Sequence, residues 1–208
     1  IYLENMKMRN KLFMSIVAVE VLIFGAVFSY VAGLTSARAR ETALETGRAR
    51  AAAAASRITT TLIGAATTVE ALGSSLETCL RLGRTDRSFV PIQLLDILKS
   101  SPRYYAVWAF FGPDGWDGKD ARYTSDPDYA PTGAFVPWAY REKGEPMVYP
   151  GMAGEDSGYY ESFYTIPIAT GTGLYMEPYL EDSTEGQLLL VTYGRPVKDE
   201  SGTARGVA

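Results

Sequence analysis

Leu12 to Leu34 is a run of 23 residues in which Glu20 is the only side chain charged at neutral pH. At about 1.5 Å of rise per residue, a helix of that length exceeds the roughly 30 Å hydrocarbon core of a bilayer. No proline occurs before Pro91, so nothing in the backbone obliges the helix to stop at a membrane surface. The chain is therefore committed to a long helix first, and any globular domain must follow it. Lys7, Arg9 and Lys11 stand just before the apolar run. The positive-inside rule then makes residues 1–11 a cytoplasmic tail, residues 12–34 a transmembrane helix and residues 35–82 a long extracytoplasmic helix. A cleaved signal peptide is the alternative, but its apolar region is normally only about 7–15 residues, which favours a retained anchor. Glu20 is costly in lipid and is expected to face a neighbouring helix.

Beyond the anchor, apolar residues fall at Ala51, Ala55, Ile58, Leu62, Ala65, Val69, Leu72, Leu76 and Cys79. The steps alternate between four and three, a period of 3.5 that suits a helix packing along another helix. Two partners satisfy such a seam: a second copy of the chain, giving a homodimer through the long helix, or the chain's own domain. Both can hold at once. Cys79 lies in the seam and reads as a small buried apolar residue rather than a reactive thiol. Arg81 to Ser88, with Gly83 inside, reads as the end of the helix.

Composition removes most chemistry. The chain has no histidine, which excludes Ser-His-Asp and Cys-His catalysis and every histidine metal site. One cysteine excludes an intrachain disulfide and Cys-cluster metal centres. Charge is split along the chain: residues 1–103 carry 13 basic and 8 acidic side chains, residues 104–208 carry 7 and 16. The acidic second half argues against nucleic acid as a partner. Asp114, Asp117 and Asp120 are spaced by three, and the twelfth position of that frame is Ser125, so an EF-hand loop fails and Asp-Gly turns are the better reading. Gly171-Thr172-Gly173 lacks the third glycine and following helix of a dinucleotide site. Glu155 and Asp156 read as surface charge. Nothing here supports an enzyme, a metal or a cofactor.

Of the 25 aromatic residues, 19 lie between Tyr104 and Tyr193, marking a second physical part. Val90 to Lys99 is patterned as a short amphipathic helix. Tyr104 to Phe111 reads as a strand stopped by Gly112-Pro113-Asp114-Gly115. A polar stretch then runs to about Ser157, interrupted by an apolar island at Phe135 to Tyr140. Tyr159 to Ile168 reads as a strand or strand–loop, Leu174 to Tyr179 as a strand, Asp182 to Gly186 as a turn and Gln187 to Val197 as a strand. Lys198 to Gly202 turns into a last strand from Ala204. Short strands with hairpin-length turns imply an antiparallel sheet, and with the helices an α+β fold over residues 83–208.

The phrases Val107-Trp108, Phe111-Gly112-Pro113-Asp114-Gly115-Trp116-Asp117-Gly118-Lys119-Asp120, Thr132-Gly133-Ala134-Phe135-Val136-Pro137-Trp138, Tyr159-Tyr160 and Glu177-Pro178-Tyr179 occur in that order. Together with Arg195-Pro196-Val197-Lys198-Asp199-Glu200-Ser201-Gly202 and Arg205-Gly206-Val207, the series resembles the double Cache sensor domains of bacterial methyl-accepting chemotaxis proteins. The resemblance implies two stacked PAS-like modules on the long helix, a second membrane span and a cytoplasmic signalling region. On that reading the chain holds the anchor, the helix and an incomplete membrane-distal module, and sits in the bacterial inner membrane with its sensor outside. Its function would be to sense a small molecule and transmit binding across the membrane. The alternatives are a sensor feeding a histidine kinase or cyclic-dinucleotide enzyme, and a structural membrane-anchored module with no ligand.

The resemblance also implies a ligand under the loops from Trp116 to Tyr164. Amino-acid-binding relatives use an Arg-x-Trp-Tyr motif there, but Ala134 stands where such sequences carry arginine, leaving Arg141 as the substitute guanidinium. The family's acidic partner for an amino group falls on Glu181. Independently, Trp138, Tyr140, Tyr160 and Tyr164 in an acidic domain suit a box for a cationic ligand, although aromatics equally dominate small cores. The expected ligand is thus an amine, an amino acid or a carboxylate, the last if Arg141 points inward.

Overall fold

The computed structural model describes residues 8–151, 162–183 and 186–208. The first helix, α1, runs from Met8 to Arg81, and the chain divides into two units, Ile1–Ile58 and Thr59–Ala208. In the first unit every described residue from Met8 onward is helical and exposed. Among the described residues, α1 is the one helix long and apolar enough to cross a membrane. The hydroxyls of Ser15 and Thr35 donate to the carbonyls of Leu12 and Val31, the usual back-bonding of such side chains within a helix. Of the 3.5-period seam, Ala51, Ala55 and Ile58 lie in this unit and are exposed.

In the second unit α1 ends as its sequence dictates. Gly83 adopts φ of 64°, the amide of Gly83 donates to the carbonyl of Leu80, and that of Arg84 donates to the carbonyl of Cys79. This pair of bonds is a Schellman closure, and the left-handed residue is glycine because a side chain there would be strained. The seam's remaining members turn to the domain: Leu72 and Leu76 are buried, and Val69 and Cys79 pack against the same core. The reading of the seam as cover for its own domain holds over this stretch.

Helix α2, Phe89–Ser100, buries Val90, Leu94 and Leu98. The strand expected at Tyr104 to Phe111 is two short strands, β1 (Ala106–Trp108) and β2 (Phe110–Phe111). The polar stretch expected after it contains a hairpin that sequence patterning missed, β3 (Trp138–Glu142) and β4 (Glu145–Tyr149), with Glu142 paired to Glu145. Lys143 and Gly144 make its two-residue turn at φ of 50° and 81°, the mirror-image geometry that fits strand twist. Pro146 is accommodated because β4 is the edge of the order β1-β3-β4.

The segment expected to be a strand near Tyr159–Ile168 is instead helix α3, Ser162–Thr170, over its described part. Phe, Tyr, Thr and Ile favour strands locally, but Pro167 cannot donate to a ladder, and its buried ring packs close to Gly194. The strand expected at Leu174–Tyr179 is only β5 (Leu174–Tyr175), and the turn expected at Asp182–Gly186 lies within a hairpin of β6 (Tyr179–Ser183) and β7 (Gly186–Leu190). The long strand expected from Gln187 breaks into β7, β8 (Tyr193–Gly194) and β9 (Pro196–Lys198), each with a different partner; β9 turns into β10 (Ala204–Val207).

The ladders β1-β3-β4 and β2-β10-β9 join through amides of Ala109 and Phe111 that donate to the carbonyls of Pro137 and Phe135. Strand alternation then decides the layering. Val107, Ala109, Phe111, Phe135 and Ala139 share the large core with α1 and α2. The intervening Phe110 and Val136, with Trp108, form a second cluster against Phe163. The sheet is thus packed on helices by one face and carries an aromatic surface on the other. The fold is α+β with antiparallel sheets.

Candidate functional site

That second face is hollow. A cleft of about 870 Å³ is lined by Tyr105, Trp108 and Phe110 of the sheet, Trp138 of β3, Phe163 and Ile166 of α3, and Tyr175, Glu177, Tyr179 and Glu181 from β5 to β6. Trp108, Phe110 and Phe163 form a triangle of rings with centroids 5.0–5.2 Å apart. Alternation along β1–β2 puts Trp108 and Phe110 here, and the register pairs Trp138 with Trp108 across the ladder. The charged side chains of the lining are Glu177 and Glu181, both exposed.

The residues singled out by sequence are distributed unevenly around this cleft. Trp138 and Glu181 line it. Tyr140 is two residues along the same face of β3, 4.9 Å from Trp138 and stacked on Tyr149 at 5.7 Å. Its phenol is pushed up to about 12 by a hydrogen bond to Tyr149 and then by burial. Tyr164 sits on α3 against the Phe110 cluster, and burial pushes its phenol upward. Trp116 is 3% exposed between Phe111 and Phe135, at 4.7 and 5.7 Å, within the large core. Arg141 lies on the α2 side of the sheet, where its guanidinium donates to the carbonyls of Leu98, Ser101, Tyr104 and Gly144. It closes the C-terminal end of α2, the favourable place for a cation at a helix terminus. Tyr160 lies outside the described residues.

Sequence reasoning passed over Trp108, Phe110, Phe163, Tyr175 and Glu177. The signal for the first two was present: aromatic residues at alternate positions of a strand whose other positions are filled by Val107, Ala109 and Phe111.

Two ion networks, the first of them buried, frame the site. Arg87 is 4% exposed and donates to both Asp117 oxygens at 2.9–3.0 Å, to Asp120, and to the Gly133 carbonyl at 2.8 Å. Burial works against its charge, but Asp117 and Asp120 outweigh burial and raise its pKa. Its plane covers the Tyr123 ring at 3.9 Å. Asp117 and Asp120 are therefore the counter-ions of an arginine that fixes the loop leading into Phe135–Trp138, while Asp114 accepts from the amide of Asp120.

The second network ties the sheet to α1. Arg195 bonds Glu70 at 3.0 Å and Glu77 at 2.6 Å, crossing the helix over Gly73, where its side chain occupies the space a Cβ would need. Tyr193 donates to Glu70 at 2.6 Å; burial and then this bond push its phenol up to about 12. Tyr175 lines the cleft, packs edge-on against Tyr193 at 4.8 Å, and donates to the Leu62 carbonyl of α1. Below these ties a cavity of about 300 Å³ separates Leu62, Ala65 and Val69 from Tyr104, Trp108 and Leu190.

No family model matches the chain. A curated relative, the methyl-accepting chemotaxis protein TlpQ of Pseudomonas aeruginosa strain PAO1, is 27% identical over 117 residues, which is 51% of this chain and 16% of that protein. Among solved structures, the extracellular domain assigned to the histidine kinase mmHK1S-Z3 aligns over 73% of this chain and 51% of its own, with TM-score 0.61 and 26% identity. A methyl-accepting chemotaxis protein X aligns over 74% and 57%, with TM-score 0.57 and 22% identity. The chain thus spans about half of these structures and about a sixth of the curated relative. The fold is thus similar to that of the Cache-type extracellular sensor domains of chemoreceptors and histidine kinases.

Proposed function

We propose that this chain is the sensing region of a bacterial chemoreceptor held in the inner membrane by Leu12–Leu34, with the cleft beside Trp108 as the site of a small organic ligand. The observation that carries the reading is the double position of Tyr175, a wall of the cleft whose hydroxyl is bonded to α1. A ligand that draws β5 and β6 inward changes the Tyr175 and Tyr193 ties, and α1 responds because the apolar packing beneath it is incomplete. Two arrangements of sheet and helix with different ligand affinity are all that population shift requires. Trp138 and Glu181 are the residues from the sequence that this site uses.

The exposed seam positions Ala51, Ala55 and Ile58 are free to pair with a second copy, which gives the receptor its dimer. A cysteine at Ala55 is expected to cross-link the chain in membranes, and its failure to do so while a control interface cross-links counts against the dimer. The likeness to the kinase sensor domain supports a second reading, in which the same module feeds a histidine kinase. Fusing the chain to the signalling region of a known chemoreceptor tests transmission: a ligand-dependent response supports the reading, and a ligand that binds without any response refutes it.

A further inference from the structure

We propose that the cavity beneath α1 is a second binding site, separate from the aromatic cleft, and that it takes a small neutral apolar molecule. Its walls are Leu62, Ala65 and Val69 of α1 facing Val107, Trp108 and Leu190 of the strands. The volume is about 300 Å³, against the roughly 150 Å³ of an apolar cavity that stays dry and holds benzene. That is room for two fused rings. Side chains that face a void lose the dispersion contacts a filled interior would supply, and an apolar occupant restores them.

The hydroxyls around the cavity are engaged with one another or with α1. Thr68 bonds Tyr104 at 2.9 Å, Tyr179 bonds Thr192 at 2.9 Å, and Tyr193 donates to Glu70 at 2.6 Å. Arg103 is the charged residue of the described lining, and it is exposed. An ion entering here would give up water for walls of hydrocarbon and bonded hydroxyls, a cost that a neutral apolar molecule does not meet. The cavity and the cleft share Tyr105, Trp108, Tyr179 and Leu190 as a common wall, but Ala65 and Val69 line the cavity alone and Phe163 and Ile166 the cleft alone. Substitution can therefore separate them, and the claim stands independently of what the cleft senses.

The test is methyl NMR of the full chain in nanodiscs, with the leucine and valine methyls isotope-labelled. The probes are naphthalene and its charged counterparts 2-naphthoate and 2-naphthylmethylammonium, each at known free concentration. We expect the Leu62, Val69 and Leu190 methyls to shift saturably with naphthalene, and both ions to bind more weakly by about tenfold or more. Ala65→Phe, which fills the cavity, should weaken naphthalene by about tenfold or more with circular dichroism unchanged; Leu62→Phe takes its place if that variant misfolds. Phe163→Ala, in the wall of the cleft alone, should leave naphthalene binding within a few-fold. Either ion binding as tightly as naphthalene overturns the ligand class. No saturable shift, or a shift that survives the filling variant, overturns the site. A shift lost in Phe163→Ala and kept in Ala65→Phe moves naphthalene to the cleft, which overturns this site and leaves the sensing reading standing.

Discussion

Replacing Arg87 with methionine tests how the domain holds the loop that leads into the cleft. The guanidinium is 4% exposed, and the Asp117 and Asp120 side chains are 2% and 12% exposed. The substitution keeps most of the apolar stem but strands two carboxylates away from water and frees the Gly133 carbonyl. Breaking one side of a buried ion pair costs about 3–5 kcal/mol. For a domain of this size each kcal/mol moves the midpoint by about 2–4 °C, so Tm should fall by roughly 6–20 °C. The cost should come from the stranded charge rather than from lost packing. A triple variant, Arg87→Met with Asp117→Asn and Asp120→Asn, should recover much of the loss, since a neutral set of similar shape carries no uncompensated ion. Differential scanning calorimetry of the three proteins decides. A fall below about 2 °C, or a triple variant no more stable than the single one, refutes the reasoning.

Tyr175→Phe removes one hydrogen bond to the Leu62 carbonyl while leaving the ring in the cleft wall. It should lower stability by only about 1 kcal/mol in urea unfolding, leave ligand affinity within a few-fold, and abolish the response of a receptor fusion. A fusion that responds normally contradicts the relay. The phenols of Tyr129 and Tyr193, both pushed up to about 12 chiefly by burial, set a pH dependence. A folded-state pKa above the unfolded value near 10 gives stability that is complete below about pH 10 and lost as pH rises toward about 12. Urea midpoints measured from pH 9 to 12 should fall, and Tyr129→Phe should flatten the fall; a midpoint that holds level across that range in the parent chain contradicts it.

How much of this was legible in the sequence depends on whether local and tertiary forces agreed. The long first helix, its end at Gly83, the α2 pattern and the β9–β10 hairpin follow from hydropathy period and turn chemistry that the fold does not override. The β3–β4 hairpin was hidden because Lys143-Gly144 is a weaker turn signal than Asn-Gly, and because Pro146 is tolerated only once β4 is known to be an edge. Helix α3 was hidden because Phe163, Tyr164, Thr165 and Ile166 favour strands locally, and the packing of Phe163 and Tyr164 on the Phe110 cluster is a tertiary contact that spacing does not reveal. The sequence pointed to Trp138 and Glu181 by motif. It could not show that Arg141 turns to the C-terminus of α2, since that follows from strand register rather than from spacing. Nor could it bring Glu177, Trp108 and Phe163 together, because they meet only when three separate elements close around one face of the sheet.

The central claim is that the cleft beside Trp108 binds the ligand and that α1 feels it. Hydrogen–deuterium exchange of the chain, with and without a saturating small organic ligand identified by a thermal-shift screen of amines, amino acids and carboxylates, tests both halves at once. The account predicts protection at Tyr105–Phe111, Ser162–Ile166 and Leu174–Ser183, with a change in exchange of α1 around Leu62–Glu77. Protection confined to other segments, or protection of the cleft with α1 unaltered, would contradict it.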